Sequence, residues 1–331
     1  MAQKVTIATV ARHAQVSRQT VSNVINAPHI VKEETRQRVR EAIVALGYRA
    51  NQAARQMRTG RSRLIAVRIE PTRDGINNSV LDRFLHGLAE AADGAGYRVM
   101  IYTAADDRAE ITTYDDLLTA YDLDAFVLTS TDHGDPRTTW LAERDVPFVT
   151  FGRPWDTPDR HRWVDVDGAD GCAQATRHLV GTGHRRIGFI GWPRGSGVGD
   201  DRRSGWLSVL RAAGLDPTGL DRETPDGIDE GAAVAGHLLT VADPPTALVC
   251  VSDSLAIGAL QSVRAHGAPV AVTGFDDTPV AQAIGLTSVS QPLAEVAASC
   301  VELLASALDG GPADTSHQVL LRPSLVVRQT T

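Results

Sequence analysis

"VSRQTVSNVIN" (Val16–Asn26) sets apolar Val21, Val24 and Ile25 at helical spacing and leaves Ser17, Arg18, Gln19, Ser22 and Asn23 on the other side. Such a polar face either meets solvent or reads a partner, and the flanking sequence decides between the two. Upstream, Thr6 can cap a short helix over 7–14 with Ile7, Val10 and Ala11 on one face, and "AQVS" then breaks it. Ser17 can cap the second helix, which runs to about Asn26. Beyond a loop containing Pro28, the spacing predicts a third helix over 33–46, with Val39, Ala42, Ile43 and Leu46 inward and Gly47 as its stop. Two short helices across a tight turn, buttressed by a third, make a helix-turn-helix unit. In such units the second helix is the one that enters the major groove.

Charge supports that reading. Residues 1–63 carry twelve Lys and Arg against three Glu, a net +9, whereas the rest of the chain carries 21 basic against 37 acidic residues, a net −16. A small basic head on an acidic body selects a polyanion for the head alone. The exposed residue types fit as well: Arg pairs with guanine, Gln or Asn with adenine, and Ser and Thr hold phosphate oxygens.

From Leu64 onward, apolar runs ("LIAVRI", "YRVMIYTA", "AFVLTS", "FVTFG", "RIGFIG", "ALVCVS", "VAVTGF") alternate with helical patterns. This βαβ rhythm predicts an α/β body of two doubly wound parallel-sheet lobes, divided near 153–166, with a ligand cleft at the carboxyl ends of the strands. Other chemistries find little support. "GSGVGDD" (Gly195–Asp201) is glycine-rich but does not open a helix after the first strand, as a dinucleotide fingerprint requires. There is no P-loop, nucleophile elbow or SxxK, so no enzyme and no cofactor is expected. Cys172, Cys250 and Cys300 are far apart in apolar context, and His161, His178 and His184 lack ligand spacing, so no metal is expected either. No apolar run approaches the roughly 20 residues that span a bilayer, and the N-terminus has no signal-peptide core. A cytoplasmic protein with no membrane partner is the expectation.

"VTIATVARHAQVSRQTVSNVIN…VKEETRQRVREAIVALGYRANQAARQMRTGRS" resembles the head of the lactose/galactose repressor (LacI/GalR) family. The body resembles that family's periplasmic-binding-protein-like effector domain through "HLVGTGHRRIGFIG", "DDRRSGW", "VCVSDSLAIGAL", "VTGFDD" and "SVSQPLAEV", so the similarity covers nearly the whole chain. The resemblance implies a DNA-binding domain over 1–49, a hinge helix and linker over 50–62, and an effector-binding and dimerisation domain over 63–331. The first lobe would comprise about 63–166 and 294–318, and the second about 167–293 and 319–331. It implies base readout by Arg18, Gln19 and Asn23. Backbone contacts would come from Thr6, Ser17, Thr20, Ser22, Asn26, Thr35, Tyr48 and Asn51, and hinge contacts in the minor groove from Ala54 and Met57.

In the cleft it implies Arg202 as the grip on effector hydroxyls or carboxylates and Asp276 as an acceptor for sugar hydroxyls. Ser252 stands where Asn or Asp is usual, just before Asp253, and Gln291 lies at a lobe crossover. Asp201, Arg153 and Trp192 complete the candidate set. The family pattern is not met everywhere: Thr9 replaces the usual Asp and makes a poorer capping box, Ala50 replaces a Pro, and Gly152 replaces a carboxylate. "PDGID" occupies the place of the usual aromatic platform, which Trp192, Trp155 or Trp163 would have to replace.

The reading is a homodimeric, sequence-specific DNA-binding regulator, a repressor of a pseudo-palindromic operator, controlled by a small-molecule effector, a saccharide. A purine or other effector is the competing choice within that class. A stand-alone sugar-binding protein and an enzyme on a doubly wound fold are the rivals outside it.

Overall fold

The computed structural model describes residues 5–48, 60–69, 76, 78–156, 161–267, 269–310 and 318–331. The expectations for Ala50, Asn51, Ala54 and Met57 lie outside them. The chain divides into two compact units, 1–62 and 63–331.

The first unit contains α1 (Ile7–His13), α2 (Arg18–Asn26) and α3 (Glu33–Leu46), with a 3-10 turn over Pro28–Ile30. Thr6 caps α1 in a capping box with Thr9, both backbone-to-side-chain bonds at 3.4 Å; the bond from the Thr6 N–H to Thr9 Oγ1 is long because a hydroxyl reaches less far than a carboxylate. Ser17 caps α2, accepting from the Thr20 N–H at 3.0 Å. Gly47, at φ +60°, ends α3 in the left-handed conformation that glycine adopts freely. Val10, Val21 and Val39, one from each helix, are fully buried against each other and Ala11, Ala14, Val24 and Ala42. Each buried valine contributes about 1.5–3 kcal/mol by leaving water, and this small core fixes the pitch of α2.

The first lobe of the second unit contains β1 (Leu64–Ile69), α4 (Asn78–Gly94), β2 (Arg98–Thr103) and α5 (Asp107–Tyr121). It continues through β3 (Ala125–Leu128), α6 (Pro136–Glu143), β4 (Phe148–Phe151) and β5 (Trp163–Val166). The chain then enters the second lobe with α7 (Gly168–Gly181), β6 (Ile187–Gly191), α8 (Gly197–Ala212), β7 (Asp221–Glu223) and α9 (Ile228–Leu239). There follow β8 (Ala247–Cys250), α10 (Asp253–His266), β9 (Ala271–Phe275), α11 (Pro279–Ala283) and β10 (Thr287–Ser290). It returns to the first lobe through α12 (Leu293–Leu308) and β11 (Gln318–Leu321), and β12 (Ser324–Val326) lies on the second.

Each lobe has a six-stranded sheet, ordered β11-β5-β4-β3-β1-β2 and β12-β10-β9-β8-β6-β7. All pairings are parallel except β10 with β12. The sides of β1 show why its run is continuously apolar: Ile65 and Val67 pack on Phe84 and Leu88 of α4 and Cys300 of α12, while Ala66 packs with Tyr114 and Phe126 on the opposite face. All seven apolar runs are strands. The sequence reading missed β5, β7, β10, β11 and β12, which are three or four residues long and hold polar residues, as in "WVDV" and "DRE". The final crossover also falls later than expected, because Val319, Leu320 and Leu321 pair with Val164, Asp165 and Val166 of β5; the chain leaves the first lobe after Leu321, not at 319.

Under the first lobe's cleft edge lies a buried ion cluster. Arg137 of α6 is fully buried and donates to Glu110 Oε2 (3.0 Å), Asp135 Oδ2 (2.7 Å) and the carbonyls of Thr129 and Ser130 (both 3.1 Å). It pins the loop leaving β3, which carries Thr131 toward the cleft.

Candidate nucleic-acid interface and effector cleft

On α2, Arg18 and Gln19 are exposed and Asn23 half-buried. Gln19 Nε2 donates to Asn23 Oδ1 at 2.9 Å, one helical turn away, so the two amides form a planar donor–acceptor pair before meeting any partner. Arg18 makes no hydrogen bond within the described residues. Ser17, Thr20 and Asn23 line an open concavity of about 390 Å³ with Lys32, Thr35 and Arg38 of the loop and α3. Hydroxyls over two cations suit a phosphate run. Of the other proposed backbone contacts, Asn26 bonds back to the Ser22 carbonyl (2.7 Å), Tyr48 packs on the head core, and Thr6 is the α1 cap, so these four stand apart from the concavity.

In the body, the strand order reverses at β6/β8, and candidate residues follow the carboxyl ends of the strands around it: Trp192 after β6, Ser252 after β8, Asp276 after β9 and Gln291 after β10. Arg202 reaches in from α8. Its guanidinium lies 3.6 Å from the ring centre of Phe275 and 5.5 Å from that of Trp192, and Nη1 donates to the Val251 carbonyl at 2.6 Å. Arg202 Nη2 stands 3.7 Å from Asp276 Oδ1, which accepts from Gln291 Nε2 at 2.7 Å. Burial raises the Asp276 carboxyl to about 7 against the pull of Arg202, with Asp253 and Asp226 adding repulsion. Arg202 Nε and Trp192 Nε1 are both buried donors without a hydrogen-bond partner among the described residues.

The remaining candidates serve other tasks in this structure. Asp253 is fully buried, accepting from Ser288 Oγ (2.6 Å) and the Thr278 N–H (2.7 Å), and thereby holds the loop on which Asp276 sits; burial lifts its pKa to about 6. That loop needs holding, since Asp276 and Asp277 have φ of +109° and +48°. Ser252 caps α10 and donates to Asp226 Oδ1 at 2.5 Å. Arg153 spans the lobes, with Nε on Asp165 Oδ2 (2.7 Å) and Nη2 on Asp201 Oδ2 (3.1 Å). Asp201 also accepts from the Ala169 N–H at 3.0 Å, and burial pushes its pKa up. Gly152, at φ +121°, sits against Thr131 Oγ1 so closely that no side chain fits, which explains why no carboxylate stands there. Trp163 lies buried in β5.

Sequence reasoning did not find Phe275 beneath Arg202, Asp226 on Ser252, or Arg83 of α4, whose Nη1 crosses to the carbonyls of Asp276 (3.4 Å) and Asp277 (3.3 Å). Phe275 stood in "VTGFDD", one residue before the candidate acid, and Asp226 in "PDGID", the stretch in the place of the aromatic platform; Arg83 carries no local signal.

A helix-turn-helix head with a paired reading face, joined in one chain to a two-lobed body with polar groups at its switch point, defines a DNA-binding regulator with a ligand-responsive domain. Residues 6–51 match the bacterial regulatory proteins of the lacI family, and residues 176–331 the periplasmic binding protein-like domain. The chain is 32% identical over 334 residues to the HTH-type transcriptional regulator CelR of Thermobifida fusca, covering 98% of each. Among solved structures, it is similar to a transcriptional regulator CelR–cellobiose complex, with TM-score 0.74 and 30% identity over 99% of this chain and 100% of that one. It is similar also to the Lac repressor dimer bound to operator and the anti-inducer ONPF, with TM-score 0.84 and 27% identity over 99% of each chain. The chain belongs to the LacI family of DNA-binding transcriptional regulators. Among the described residues no helix is long and apolar enough to cross a membrane.

Proposed function

We propose that this protein is a homodimeric cytoplasmic repressor of a pseudo-palindromic operator, released or engaged by a saccharide seated between the lobes, and that it has no catalytic role. Arg18, Gln19 and Asn23 meet base edges, and Ser17, Thr20 and Thr35 meet phosphates beside Lys32 and Arg38. Arg202, Asp276, Gln291 and Trp192 hold the effector. A ligand binding the closed lobes better than the open ones shifts the population toward closure, and through the dimer alters the spacing of the two heads.

The observation that carries the effector half is the pair of unpartnered buried donors, Arg202 Nε and Trp192 Nε1, beside a buried carboxyl. Leaving such a donor unpaired costs about 1–3 kcal/mol, and a polyol supplies acceptors to both and a hydroxyl to Asp276. CelR, whose complex contains cellobiose, makes saccharides the first compounds to test. Thermal-shift screening of saccharides against purines tests it, since a selective ligand stabilises the native state by mass action. A saccharide that raises the melting temperature of the native chain, and not of Arg202→Ala, supports the assignment. A purine hit with no saccharide hit overturns it.

A further inference from the structure

The segment Gly152–Asp156, which leaves β4, carries two residues whose chemistry is that of ligand contacts and whose surroundings are not. Arg153 is held by carboxylates from both lobes, Asp165 of β5 and Asp201 of α8. The Trp155 indole has two neighbours: the Arg153 guanidinium lies over it, 4.7 Å from the ring centre, and Gly197, the first residue of α8, lies against the ring. A methyl carbon on Gly197 would fall inside contact distance of indole Cδ1, Cδ2 and Cε2. The indole Nε1–H donates back to the Thr131 carbonyl at 3.3 Å, so the ring is tethered to the first lobe while it packs on the second.

We propose that Gly152–Asp156 is the latch of lobe closure: Trp155 docks on Gly197, Arg153 ties Asp165 to Asp201, and neither side chain touches the effector. Both are positioning residues. Gly197 opens the helix that carries Arg202, and Asp201 is the residue beside it; Asp201 and the Arg202 side chain also both lie against Gly168. Closing the latch therefore sets α8, and with it the Arg202 grip, relative to the first lobe. Glycine at 197 is explained by docking and not by backbone conformation, because its φ is not in the left-handed range. The latch does not depend on the identity of the effector, although its regulatory use rests on the effector reading above.

The glycine allows a sharp test. Gly197→Ala should undock the ring while Trp155 is present and should do nothing further once Trp155 is gone. Spin labels on Glu143→Cys in α6 and Arg211→Cys in α8, both exposed, report the lobe-to-lobe distance. The three native cysteines are buried and will not label. Labelled full-length chain, diluted into excess unlabelled chain and without added ligand, should show one narrow distance in the parent protein. Gly197→Ala and Trp155→Ala should each add a longer, broader population, and the double variant should superimpose on Trp155→Ala. Parent-like distances in both single variants would overturn the latch, as would a further shift when Gly197→Ala is added to Trp155→Ala. Thermal unfolding of the four proteins shows that each is folded when measured. Because no saccharide enters this experiment, failure of the effector assignment leaves its outcome unchanged.

Discussion

Replacing Asp276 by Asn should make the body more stable at pH 8 while weakening it as a binder. Asp276 is 6% exposed, and burial lifts its carboxyl to about 7, from about 3.9 in an unfolded chain. Between those values the folded protein holds a proton that the unfolded chain releases. The stabilisation conferred by the neutral form is therefore fully present below about pH 4 and is lost as pH rises through about 7. A rise of about three pH units, at 1.36 kcal/mol each, is worth about 4 kcal/mol. Asn is a permanent stand-in for the neutral acid. Its Oδ1 can still accept from Gln291 Nε2, and Asn tolerates the positive φ at this position. The net attraction of Arg202 is already contained in the raised pKa, so no separate correction is needed. All five tryptophans, at 140, 155, 163, 192 and 206, lie in the body, so urea unfolding followed by tryptophan fluorescence reports this unit alone. Asp276→Asn should gain about 4 kcal/mol over the parent at pH 8 and almost nothing at pH 4. An equal gain at both pH values, or a loss at pH 8, would refute the reasoning.

Arg18→Ala should cost about 1–3 kcal/mol of operator binding and relax selectivity at one base position, as read by competition with singly substituted duplexes; a uniform loss on every duplex would make Arg18 a phosphate contact instead. Ser17→Ala should remove the α2 cap and about 1 kcal/mol of head stability, visible as a lower melting temperature of that unit. Arg137→Ala should destabilise the body by about 3–5 kcal/mol in urea, because the buried Asp135 loses its arginine while Glu110 keeps only Arg68 of β1.

The three helices of the head were legible almost to the residue. Thr6, Ser17 and Gly47 are local punctuation, and along each helix the buried apolar residues (Val10 and Ala14, Val21 and Val24, Val39 and Ala42) stand three or four apart, the spacing of one helix face. The central strands were legible for a related reason: a strand covered on both faces must be continuously apolar, as "LIAVRI" is. Edge strands such as "DRE" satisfy only one neighbour and carry no such run. In the cleft, the identities of Arg202 and Asp276 could be read from their motifs, but their tasks could not. Whether an arginine grips a ligand or bridges two lobes depends on residues about 12 and 48 positions away, as Arg153 between Asp165 and Asp201 shows, and spacing in one sequence does not encode that approach. The Trp155 docking site is a glycine, a residue whose only signal is the absence of a side chain.

The central claim is that one ligand site in the body governs DNA affinity in the head. Selection of the full chain on random duplexes yields its preferred site, and titration of that site with and without the saccharide found by thermal shift measures the coupling. The account predicts an imperfect palindrome whose affinity changes by about 5–150-fold on saccharide addition, the usual range for coupling of 1–3 kcal/mol, with the change abolished in Arg202→Ala. An affinity indifferent to the saccharide, or a change that survives Arg202→Ala in full, would contradict it.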